Sequence, residues 1–105
     1  MSKPVYSWFW QPPLDGKPGL LMIVDNHPDP RETGIPVVLE RLKDVIPEIE
    51  VKLPMDINLG ALSIFLRDPT EHWYQITVNP MNRRFTTSRP TFKQGELAEL
   101  WESRL

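Results

Sequence analysis

The chain of 105 residues contains no cysteine. Disulfide bonds, thiol catalysis and cysteine-ligated metal sites are therefore excluded, and a reducing compartment is favoured. No apolar run approaches the roughly 20 residues that a transmembrane helix requires. The first residues, MSKPVYSW, lack the apolar core of a secretory signal. We expect a cytoplasmic protein that does not enter the membrane.

Sequence motifs for common chemistries are also missing. The chain has no G-x-S-x-G nucleophile motif, no phosphate-binding P-loop and no G-x-G-x-x-G dinucleotide motif. It contains only two histidines, and no zinc-ligand spacing is present. The formal net charge of −2 gives no overall field that would attract nucleic acid or anionic lipid. These absences predict a protein that is not an enzyme and that has no cofactor and no metal.

Proline, by contrast, is abundant, with 12 residues in 105, about twice the average usage of roughly 5%. Because 40% of the residues are hydrophobic, the chain is too apolar to be disordered. The prolines therefore separate short secondary-structure elements. We expect one globular domain over residues 1–105.

Hydrophobic spacing predicts strands and two helices in alternation with turns. Alternating or continuous apolar runs indicate strands, and an apolar stripe at helical spacing indicates a helix. The predicted strands are 5–10, 20–25, 48–53, 61–66, 73–78 and a short one near 85–87, and the predicted helices are 36–46 and 91–103. Pro47 is expected to end the first helix, so that the alternating EIEVKL forms a separate strand. This order predicts an α+β fold: a mainly antiparallel sheet of five or six strands with both helices packed on one face.

The most unusual stretch is YSWFWQPP, at residues 6–13, which holds two of the four tryptophans. Because side chains alternate along a strand, Trp8 and Trp10 share one face. Two helices can cover one face of the sheet but hardly two, so we expect these rings on the uncovered face, with Trp73 or Tyr74 extending the patch. Such a patch would bind a protein partner. The alternative is that these rings belong to the core.

A second candidate site is the basic segment 79–95, which carries four basic residues and no acid. The basic side chains are Arg83, Arg84, Arg89 and Lys93, interleaved with two phenylalanines. Arginine forks and hydroxyl groups suit phosphate or carboxylate ligands, so this segment could bind an anion or single-stranded nucleic acid. The alternative is a solvated basic loop that balances acidic neighbours.

A third candidate site is DNHPDP, in which Asp25, His27 and Asp29 follow the end of a strand. Carboxylates and an imidazole can bind a divalent metal or perform acid–base catalysis. The alternative, which we favour, is a loop in which these side chains form turn and capping hydrogen bonds.

The sequence thus favours a small binding module whose partner is another protein. It would serve as an accessory, inhibitory or assembly factor, and an exposed strand edge could also allow a homodimer. The second hypothesis is an anion or single-stranded nucleic-acid binder that acts through residues 82–93, which the acidic pI of about 5.6 disfavours. The metal-dependent or acid–base enzyme at Asp25, His27 and Asp29 is the third.

Overall fold

The computed structural model describes residues 6–28, 34–53, 62–88 and 93–103. These residues form five strands and two helices, which confirms the predicted α+β class. In chain order the elements are β1 (Tyr6–Gln11), β2 (Leu20–Asp25), α1 (Ile35–Lys52), β3 (Ser63–Arg67), β4 (Trp73–Val78), β5 (Phe85–Ser88) and α2 (Gln94–Glu102).

The strands form one sheet in the order β1-β2-β3-β4-β5. The β1–β2, β3–β4 and β4–β5 pairs are antiparallel, whereas β2 and β3 are parallel. The chain between β2 and β3 includes α1, as a parallel pair requires a crossover connection. The sheet is therefore mainly antiparallel, as predicted, with β1 and β5 at its two edges.

The two helices lie on opposite faces of the sheet, so the prediction that both pack on one face is wrong. On the first face, α1 packs on Leu21 and Ile23 of β2, and on alternate residues of β3 and β4. On the second face, Leu97 and Trp101 of α2 pack on Met22 of β2. Because neighbouring residues of a strand point to opposite faces, the central strands are buried on both sides.

The first helix continues beyond Pro47 to Lys52, so the predicted strand 48–53 does not form. Ile49 and Leu53 are buried, but Val51 between them is 85% exposed. A strand would have placed all three on one face, whereas a helix places residues four apart together. The buried stripe of α1 thus keeps its helical spacing across the proline.

The second face is covered in a different way on each half. Over β2, β3 and the first residue of β4, Trp73, it is covered by α2, whereas the rest of β4 and β5 carries polar side chains. Thr77, Thr86 and Ser88 are exposed on that half. A polar surface can face water without a covering helix. No helix within the described ranges combines the length and the hydropathy that crossing a bilayer requires.

Candidate functional site

Strand β1 is an edge strand with an unusual composition. It pairs with β2 from Tyr6 to Gln11, and none of the described residues pairs with its other edge. Its sequence, YSWFWQ, contains no charged residue and no proline. Charges, prolines and bulges are the usual means by which proteins block an edge strand. The outer edge of β1 is therefore chemically open to pairing with another strand.

Trp8 and Trp10 project from β1 onto the first face, beside α1, and not onto a face without a helix. That part of the prediction is wrong. Both side chains are nevertheless only half-buried, since they pack against the outside of the core cluster. The Lys52 ammonium lies 5.8 Å from the centroid of the Trp8 ring, within the range of a cation–π contact. The two rings therefore form an aromatic margin along the open edge.

The position of the Trp10 ring depends on Gly19, which precedes β2. A Cβ atom at Gly19 would lie 2.5 Å from Cη2 and 2.9 Å from Cζ3 of Trp10. Side-chain atoms do not approach a Cβ this closely. Glycine thus allows the indole to lie directly on the backbone.

The other two predicted aromatic residues do not join this margin. Trp73 is 1% exposed and packs on the second face against α2, so it is a core residue. Tyr74 shares the first face with Trp8, but Ile23 and Leu66 lie between them in the sheet. Its hydroxyl donates to Asp68 Oδ2 at 3.1 Å. Of the four predicted residues, the structure brings together Trp8 and Trp10.

The basic segment does not form a single patch among the described residues. Arg83 and Arg84 lie in the turn between β4 and β5, where Arg83 forms an ion pair with Glu50 of α1. Lys93 is the N-cap residue of α2, on the second face. Arg89 lies outside the described residues. One of the predicted anion-binding arginines is thus already engaged with a carboxylate.

Residues 25–28 of the DNHPDP segment form the end of β2 and the loop that follows it. Asp25 is 2% exposed, and its carboxylate accepts a hydrogen bond from the His27 backbone N–H at 2.8 Å. The Arg41 guanidinium of α1 lies 3.4 Å from the same carboxylate. Asp29 lies outside the described residues. No cluster of three or more metal-ligating side chains occurs in the part of the chain that the structure describes.

Tyr6 lies beside this turn, opposite Asp25 in the β1–β2 pairing. Burial, reinforced by the Asp25 carboxylate, raises the pKa of Tyr6 to about 12. Its hydroxyl is buried without a hydrogen-bond partner. The phenol is thus held in its neutral form at physiological pH.

An open cleft of about 700 Å³, which the sequence did not reveal, lies between α2 and the β1–β2 loop. Leu20, Leu97 and Leu100 line it, with Asp15 and Lys17 at the turn of the loop. That turn contains Asp-Gly, with positive φ at both residues, and this dipeptide is the sequence signal for a tight hairpin turn.

Comparisons with known proteins give no relative for this arrangement. No protein-family model matches the chain, and no curated protein or solved structure is significantly similar to it.

Proposed function

We propose that this protein is a small binding module that takes up an extended segment of a partner protein as an additional strand beside β1. The observation that carries the proposal is the outer edge of β1, which is six residues long and uncharged and has no described strand beside it. Addition of a strand to a sheet edge is a recurring mode of peptide recognition.

The backbone of β1 supplies the basis for affinity. In a strand, the N–H and C=O groups of alternate residues point to opposite edges, so half of those in β1 point away from β2. An extended peptide can bond to these groups, whereas a helix or a compact ligand cannot. Pro12 and Pro13 follow β1 and offer no N–H donors. The paired segment is thus limited to about the length of Tyr6–Gln11.

The side chains of β1 supply the basis for specificity. Trp8 and Trp10 flank one side of the added strand and remain partly exposed. Tryptophan is enriched among the residues that dominate binding energy at protein interfaces, and aromatic cross-strand pairs contribute roughly 0.2–1 kcal/mol each. The ammonium of Lys52 over Trp8 favours an acidic side chain in the partner beside that ring.

The two alternative functions have weaker support. Arg83 is paired with Glu50, and the net charge of −2 opposes binding to phosphates. Asp25 is occupied by His27 and Arg41, which leaves it poorly placed for acid–base chemistry or metal binding.

The proposal is tested by selecting peptides from a display library of random linear peptides against the purified protein. The edge-blocked variant carries Ser7→Lys and Gln11→Lys in β1, because lysine on an edge strand opposes pairing. The matched control carries Thr86→Lys and Ser88→Lys in β5, the opposite edge. Circular dichroism and thermal unfolding establish that both variants are folded.

We expect selected peptides to bind the wild type and the β5 control alike, and to bind the β1 variant at least about tenfold more weakly, the effect of roughly 1.4 kcal/mol. Peptides that bind the β1 variant equally well would contradict the proposal, as would a failure to select any peptide. A concentration-dependent dimer that the β1 lysines abolish would show that a second copy, and not a partner segment, occupies this edge.

A further inference from the structure

Among the residues that the structure describes, three buried side-chain atoms that can donate hydrogen bonds have no partner, and they lie at one end of the sheet. These atoms are the Tyr6 hydroxyl, Arg67 Nε and Trp73 Nε1. Tyr6 is opposite Asp25, the last residue of β2, and Arg67 is the last residue of β3. Unpaired buried donors are rare in folded proteins, and each calls for an explanation. Tyr6 lies on the first face, whereas Arg67 and Trp73 lie on the second, and this second pair of donors points to a ligand at that end of the sheet.

Two of the three donors are direct neighbours. Arg67 of β3 and Trp73 of β4 are paired residues in the antiparallel ladder, so their side chains lie on the same face, about 5 Å apart at their Cβ atoms. Trp73 is 1% exposed and packs beside Trp101 of α2. Val24 is paired with Arg67 on the other side. The two side chains thus lie next to each other on the second face.

The chemistry of this site is that of a donor pair without an acceptor. Neither a guanidinium nor an indole N–H can accept a hydrogen bond, so the two side chains cannot satisfy each other. Arg67 forms no ion pair with any described acidic residue. Asp68, its neighbour in the chain, is engaged on the opposite face by Thr70 and Tyr74. The buried Nε of Arg67 is thus a donor without a counter-charge among the described residues.

We propose that Arg67 and Trp73 form a binding site for a small oxyanion group, a carboxylate or a phosphate. Such a group supplies the missing negative charge and accepts hydrogen bonds from both donors, and a guanidinium binds it through two parallel N–H groups. Both donor atoms are buried, and a hydrogen bond is stronger where water is excluded. This site is separate from the β1 edge and from the basic segment predicted from the sequence.

The indole N–H groups provide a direct test in the full-length protein. The four tryptophans give separate indole cross-peaks in a ¹H–¹⁵N spectrum, and Trp73→Phe identifies the one from Trp73. Acetate and methyl phosphate are titrated in separate arms against chloride at constant ionic strength. We expect the Trp73 signal to shift downfield saturably in at least one arm, which assigns the preferred oxyanion class, while the Trp8 and Trp10 signals stay in place.

Arg67→Gln is the principal variant and should weaken this binding at least about tenfold, because hydrogen bonds to charged groups contribute more than neutral ones. Arg83→Gln is the matched control and should bind as the wild type does. Absence of a saturable shift of the Trp73 signal in both wild-type arms would overturn the proposal, even if Arg67→Gln does not fold. Equal binding by a folded Arg67→Gln variant would also overturn it. The β1 lysine variant should retain the anion response, so this test and that of the proposed function fail independently.

Discussion

At the scale of single residues, the contact between Gly19 and Trp10 determines how the aromatic margin of β1 is held. The Trp10 ring lies where a Cβ atom at position 19 would be. Leu62, which precedes β3, also contacts this position, with its Cδ2 atom 3.0 Å from it. The sequence contains no signal for this contact, because a glycine before a strand is typical of any turn. The contact is visible once the strands are paired.

Gly19→Ala should lower the free energy of unfolding by roughly 1–3 kcal/mol, since the added methyl group forces Trp10 or Leu62 to move. In a Trp10→Ala background, Gly19→Ala should change the free energy of unfolding little, because the ring that clashes with the added methyl group is absent. Urea unfolding of the wild type, the two single variants and the double variant measures the coupling energy between the two residues.

Gly95→Ala is the control for Gly19→Ala. A Cβ at Gly95 meets no atom within 4 Å, and the residue lies in α2, so this substitution should stabilise the protein by roughly 0.5–1 kcal/mol. Equal effects at the two glycines, or a Gly19→Ala cost that survives in the Trp10→Ala background, would contradict the steric interpretation.

Tyr6 makes stability sensitive to alkaline pH. Burial and the Asp25 carboxylate raise its pKa from 10.0 to about 12 in the folded state, so above pH 10 the unfolded chain releases this proton while the folded chain keeps it. The Tyr6 contribution to stability is therefore complete below pH 10 and declines as the pH rises towards 12. Tyr74, whose pKa is also raised by burial and by Asp68, adds to the same decline.

In Tyr6→Phe, the free energy of unfolding should therefore decrease less steeply with pH above 10. In Tyr74→Phe, the decrease that is due to Tyr6 should remain. Urea unfolding at a series of alkaline pH values measures both slopes. Phenolate absorbance gives an independent measure, because the chain has two tyrosines. A wild-type Tyr6 that titrates near 10 would contradict the effect of burial.

At the scale of elements, local patterns predict all five described strands to within two residues, but they also predict a strand at 48–53 where α1 continues. The predicted strands 20–25 and 73–78 agree with β2 and β4 at both ends, since continuous apolar and β-branched runs leave little choice. Alternating apolar and polar residues in the segment 48–53 predict a strand there. Its Ile49 and Leu53 also continue the stripe of α1, and this longer-range periodicity prevails over the proline.

Pro47 imposes a cost on α1 that substitution should remove. It lies inside the helix and is exposed, so it contributes little packing, whereas its missing N–H leaves a helical carbonyl without a bond. Pro47→Ala should raise the free energy of unfolding by roughly 1–2 kcal/mol, after allowance for the more flexible unfolded chain.

Pro36 in the first turn of the same helix is the matched control. Proline is favourable at that position because no N–H is needed there, so Pro36→Ala should give no gain. Guanidinium unfolding compares the two variants. If Pro47→Ala brought no increase over Pro36→Ala, the helix could not be continuous in the way described.

At the scale of the whole molecule, the sheet is covered on its two faces by different means. One helix covers each face of the central strands, and exposed hydroxyl side chains complete the second face over β4 and β5. Alternation in β1 predicted correctly that Trp8 and Trp10 share a face, as their pairing with Ile23 and Leu21 shows. Which face that is depends on where α1 and α2 dock.

The shared face of Trp8 and Trp10 follows from the sequence, but the docking of the helices does not, so the β1 site is only partly predictable. The aromatic strand could be identified from residues 6–11 alone, and it is half-exposed. Its position at the edge, and the pairing of Arg67 with Trp73, depend on strand order and register, which are set by contacts between distant segments. The predicted four-residue aromatic patch failed for the same reason, since Trp73 faces α2.

The central claim, that β1 binds an extended segment of a partner at its open edge, is tested most directly by amide hydrogen exchange with a bound display-selected peptide. We predict that the β1 amides that do not bond to β2 exchange at least about tenfold more slowly in the complex, as amides in a new ladder should. Protection confined to other elements, with the β1 amides unchanged, would contradict the claim.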